Sequence, residues 1–156
     1  MSTYETCIQL NVPVRTAYNQ WTQFEEFPRF MKGVIEVRQL DDCHLHWKVK
    51  IAGKEKEWEA EIFEQLPDER IAWTSRDGVL NGGRVTFHPL SDDRSMVLLQ
   101  VWYTPEGFVE HVGDELGAVS LCVREDLKRF KEFIEKRGRE TGAWRGQIDN
   151  KNAQLR

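Results

Sequence analysis

The first ten residues alternate. Tyr4, Thr6, Ile8 and Leu10 fall on one face and Thr3, Glu5, Cys7 and Gln9 on the other, which is the period of a strand. Asn11-Val12-Pro13 then predicts a helix start, with Asn11 as its cap and Pro13 placed where a missing N–H costs least. Val14, Ala17, Tyr18, Trp21 and Phe24 keep helical spacing, and a second short helix over about 25–31 is closed by Gly33. From there the period is two. Strands are predicted over 34–40, 44–51, 56–65, 70–76, 84–89 and 95–104, separated by Gly-, Asp- and Pro-containing turns, with Gly82-Gly83 read as a turn. Leu45, Trp47, Val49 and Ile51 share one face, and Trp58, Ala60 and Ile62 face inward against outward Glu57, Glu59 and Glu61. Such alternation marks an antiparallel sheet with one wet face. The strand over 95–104 is apolar on both faces, so it needs cover on both sides and allows a homodimer.

After Pro105-Glu106-Gly107 the period lengthens again, to about Lys136. Phe108, Val112, Leu116, Val119, Val123, Leu127, Phe130 and Ile134 form one apolar stripe, about 40 Å long if helical. Asp126, Lys128, Arg129, Lys131, Glu132, Glu135 and Lys136 are read as its wet side near the end. Beyond Arg137 the chain is polar and Gly-containing. The expected organisation is therefore one domain over 1–137 and a loose tail over 138–156. One strand, two short helices, six strands and a long C-terminal helix make an α+β order. A sheet of about seven strands curls, and a helix laid across the curl leaves space between them, the usual form of a small-molecule site.

Composition narrows this picture. A chain of 156 residues, 40% apolar, suits a single domain that buries roughly 70% of its unfolded surface. With no apolar run of about 18 residues, stable membrane insertion is not expected. The N-terminus carries neither the basic nor the apolar region of a signal peptide, so a cytoplasmic location is expected. The net charge of −4 argues against a nucleic-acid partner. Three widely spaced cysteines predict free thiols, not a disulfide framework. Cys43, His44, His46, His88 and His111 lack metal-ligand spacing, so no metal and no cofactor is expected.

Several segments resemble one known family. They are the run from Asn11 to Tyr18, Phe24-Glu25-Glu26-Phe27-Pro28-Arg29-Phe30-Met31-Lys32-Gly33-Val34, Trp47 with Trp58, Pro67 to Trp73, and Gly83 to Leu90. Over about residues 3–136 the chain resembles the START-like, birch-allergen-like helix-grip superfamily (SRPBCC), in its bacterial polyketide cyclase/dehydrase and lipid-transport branch. The resemblance implies a helix-grip fold, a curved antiparallel sheet wrapped around the long C-terminal helix. It also implies a hydrophobic ligand, such as a lipid, quinone or polyketide, held between the two.

Candidate ligand contacts follow from the inward positions. Trp47, Trp58, Trp73, Phe87 and Tyr103 fall on the inward phase of successive strands, and Phe108, Val112, Leu116 and Val119 on the helix stripe. They read either as ordinary core or as the wall of a cavity; Arg76, near a strand end, reads as a surface residue or as a group that orients the ligand. Ser75, Ser95, Ser120 and the cysteines have no neighbouring His/Asp pattern, so no catalytic residue is assigned. The first reading is a binder or carrier of a hydrophobic small molecule. A polyketide aromatase/cyclase and a protein-interaction module are the alternatives.

Overall fold

A computed structural model describes residues 2–51, 53–75, 81–103 and 115–148; of residues 2, 51, 81, 103 and 115–120 it describes the backbone course alone. The order is β1 (Ser2–Leu10), α1 (Val14–Trp21), a 3₁₀ turn (Phe24–Arg29), β2 (Val34–Gln39), β3 (His44–Ile51), β4 (Lys54–Leu66), β5 (Arg70–Ser75), β6 (Asn81–Ser91), β7 (Arg94–Tyr103) and α2 (Glu115–Arg137). All seven strands join one antiparallel sheet in the order β1-β7-β6-β5-β4-β3-β2, which curls around α2. The alternation seen in the sequence survives folding: Leu45, Val49, Trp58, Ala60 and Ile62 are all less than one-tenth exposed.

Three local readings change. The cap of α1 is Pro13, with no side-chain bond, and the Asn11 N–H instead donates to Glu135 Oε2 (2.7 Å), tying the end of β1 to α2. Gly82 and Gly83 belong to β6 and not to a turn. Each is the cross-strand partner of a tryptophan, Gly83 of Trp73 and Gly82 of Trp102. A Cβ on Gly83 would stand 2.5 Å from the Trp73 ring, and one on Gly82 2.6 Å from the Trp102 indole nitrogen. The missing side chains let both rings lie close against the strand. In β4 the register shifts between Ile62 and Glu64, so the inward phase passes to Gln65, which is 1% exposed.

Residues 138–148 do not form the loose tail expected after Arg137; they lie across the outer side of α1. Thr141 N–H donates to Gln20 Oε1 (2.8 Å) and Trp144 N–H to Thr22 Oγ1 (3.1 Å). Gln65 and Ile148 exchange both backbone bonds (2.8 and 2.9 Å). Arg145 donates to Asn19 Oδ1 (2.6 Å) and Asp68 Oδ2 (2.8 Å), with its guanidinium 5.5 Å from the centre of the Tyr18 ring. The segment is polar because its partners are polar: Asn19, Gln20 and Thr22 on α1 are buried beneath it. Among the described residues, no helix is long and apolar enough to cross a membrane.

Candidate functional site

The inner face of the sheet meets α2 over two kinds of interior. At one end, Phe130 of α2 (0% exposed) packs edge-on against Trp21 at 5.1 Å and Phe30 at 5.2 Å. At the other end the side chains leave a cavity of about 180 Å³. Trp47, Trp58 and Trp73 line it from β3, β4 and β5. Trp21, Phe24 and Phe27 close it from α1 and the 3₁₀ turn, and Val123 and Leu127 from α2. For scale, an apolar cavity of about 150 Å³ holds one benzene.

The rings of the open end pair along their own sheet. Trp47 and Trp58 are cross-strand partners stacked nearly parallel, 6.2 Å apart at 7°, and Trp73 covers Gly83. Trp47 also touches Phe27 (5.6 Å), and its indole N–H is buried without a hydrogen-bond partner among the described residues.

Two titratable side chains stand in the described wall, Asp126 and Cys122, one turn apart on α2. The sequence pattern assigns Asp126 to the wet side of the helix, but its side chain is only 19% exposed. Its Oδ1 accepts from Arg129 Nη2 (2.6 Å) and from the Lys32 backbone N–H (3.2 Å). Arg129 in turn donates from Nε to the Phe30 carbonyl (3.3 Å), which pins the pair against the 3₁₀ turn. Burial raises the Asp126 pKa above the ordinary aspartate value, against the opposing pull of Arg129 and the Lys32 N–H. Partial burial of the sulfur raises the Cys122 pKa too, helped by the neighbouring Asp126 charge, which favours the thiol. Among the described residues no group of three or more His, Cys, Asp or Glu side chains is placed to hold a metal ion.

The sequence candidates separate in space. Trp47, Trp58 and Trp73 stand together in the cavity wall. Phe87 does not: it is 3% exposed and packs edge-on against Tyr18 (5.3 Å) and Trp21 (6.2 Å) in the filled part of the core. Arg76, Phe108 and Val112 lie outside the described residues. Tyr103 ends β7 and Leu116 and Val119 lie in α2, with only their backbone described. Sequence reasoning missed Asp126. One signal was available, since Asp126 sits three residues after Val123 and four before Phe130, within the spacing of the apolar stripe.

Comparison with known proteins bears on this site. A family model described as polyketide cyclase / dehydrase and lipid transport matches residues 10–133. An uncharacterized 17.2 kDa protein from the melC2-rnhH intergenic region of Streptomyces lincolnensis is 52% identical over 149 residues, covering 95% of this chain and 99% of the relative. Among solved structures, DR_A0006 from Deinococcus radiodurans is 27% identical with a TM-score of 0.68, over 88% of this chain and 99% of that one. The Zhui aromatase/cyclase from Streptomyces sp. R1128 superposes with a TM-score of 0.73 over 92% of this chain and 99% of its own; at 16% identity the likeness is one of fold.

Proposed function

The chain belongs to the polyketide cyclase/dehydrase and lipid transport family, and on that premise we propose that it binds a hydrophobic small molecule in the cavity between the sheet and α2. The observation that carries this reading is the wall of large rings, Trp47, Trp58 and Trp73, facing Val123 and Leu127 across an unfilled space. A ligand entering it removes apolar surface from water, worth roughly 25 cal/mol per Å². Wall rings already packed on neighbours, as Trp47 is on Trp58 and Phe27, lose little further freedom on binding. The volume of about 180 Å³ lies below the roughly 300–1,000 Å³ of drug-sized sites, which favours a compact ligand or the ring end of a longer lipid, quinone or polyketide.

Catalysis of the aromatase/cyclase type is the weaker reading. It needs acid–base groups aimed at the substrate, and the described wall offers Asp126 and Cys122, the second favoured as a thiol. A shared fold does not transfer an activity.

Native mass spectrometry of protein purified without detergent, followed by organic extraction, tests the binder reading. One apolar molecule per chain, released by the extraction, is the expected result. Empty protein that also takes up no p-xylene in a calorimetric titration overturns it.

A further inference from the structure

We propose that Asp126 is the specificity-determining residue of this cavity, selecting ligands that carry a hydroxyl or other hydrogen-bond donor on an apolar body and accepting that donor at Oδ2. The inference rests on the binding reading above and adds to it the chemistry of the ligand's polar end.

The argument is one of valence in an apolar wall. Asp126 lines the cavity beside Val123 and Leu127. Both of its hydrogen bonds, from Arg129 Nη2 and the Lys32 N–H, land on Oδ1. A carboxylate accepts at both oxygens, so Oδ2 keeps its capacity. The side chain cannot swing away from the cavity, because Arg129 holds Oδ1 at 2.6 Å and is itself held by the Phe30 carbonyl. Oδ2 is therefore the free acceptor of a held side chain in a wall otherwise made mostly of rings and aliphatic groups. A ligand with an O–H at this point replaces the water that the oxygen loses on binding. A ligand with a methyl at the same point leaves the oxygen dry and unpaired, and a site built on a hydrogen bond rejects the analogue that lacks it.

p-Cresol and p-xylene differ by a hydroxyl in place of one methyl and make the test direct. By calorimetric titration the wild-type protein is expected to bind p-cresol about tenfold tighter than p-xylene, the lower end for a hydrogen bond to a charged group. In Asp126→Ala and Asp126→Leu that ratio falls toward one, because p-xylene no longer leaves an oxygen unpaired and p-cresol no longer finds its acceptor. The Leu variant fills the carboxylate's volume with neither donor nor acceptor, so it decides the matter if the Ala variant fails to fold. Equal binding of the two ligands by the wild type, or an unchanged ratio in both variants, overturns the role of Asp126 and leaves the binding reading standing. Uptake of neither ligand overturns both.

Discussion

At one end of the interior Phe130, Trp21, Phe30 and Phe27 meet edge to face at 5.1–5.6 Å; at the other, Trp47 lies parallel to Trp58 and Trp73 lies across the bare backbone of Gly83. Both ends use the same kind of residue at inward positions. The difference is what stands opposite. Around Phe130, rings from α1, the 3₁₀ turn and α2 converge, so each finds an edge to point at another face. Around Trp73, the rings pair with neighbours on their own sheet, and α2 contributes Val123, Leu127 and Asp126 to the wall. Rings that converge from three elements fill a core, and rings paired along one sheet leave room between themselves and the helix, with Trp21 and Phe27 at the boundary of the two. The cavity comes from how the rings are partnered, with no shortage of large side chains.

The sharpest way to break the contrast is to truncate one ring at each end. Phe130→Ala should cost about 3–5 kcal/mol by urea unfolding, because a fully buried ring leaves a hole its neighbours cannot close. Trp58→Ala, at the edge of space that is already open, should fall below that range while raising the capacity for p-xylene. Equal losses at the two ends would mean that the open end is packed as tightly as the closed one.

A smaller effect is expected at Gly83. Its added methyl would meet the Trp73 ring at 2.5 Å and the Gln100 carbonyl at 3.0 Å, so Gly83→Ala must lift the ring from β6 into the cavity. The expected loss is about 1–3 kcal/mol of stability, with a proportionally greater loss of p-xylene binding. Unchanged binding would show that Trp73 does not set the volume.

The smallest effect is a pH dependence peculiar to the open end. The folded-state pKa of Asp126 is raised by burial, so its contribution to stability is fully present below the ordinary aspartate value and is lost as pH rises through the raised one. Melting temperatures of the wild type should therefore fall relative to Asp126→Asn across that acid window. Parallel curves for the two proteins would contradict the burial of this carboxyl.

The legibility of the chain varied with the range of the interaction. Alternation in β3 and β4 was readable because a period of two assigns faces whatever the strand pairs with; Leu45, Val49, Trp58, Ala60 and Ile62 are all buried. Gly82-Gly83 misled as a turn because a glycine pair has no local signature that separates a turn from a strand overlaid by rings. Residues 138–148 misled for a related reason. Their polarity resembles that of a solvated tail, and only the buried amides of Asn19 and Gln20, some 120 residues earlier, make that polarity a docking code.

From sequence alone came the α+β order, the seven strands, the inward phase of Trp47, Trp58 and Trp73, and the family resemblance, since each depends on periods and motifs local to the chain. Tertiary structure decided which inward rings bound empty space and which fill the core, as Trp73 and Phe87 show by their different fates on the neighbouring strands β5 and β6. It also decided that the Asp126 carboxylate of α2 joins the wall. The physical reason is that periodicity fixes the direction of a side chain relative to its own element, whereas packing depends on what other elements bring to the same volume.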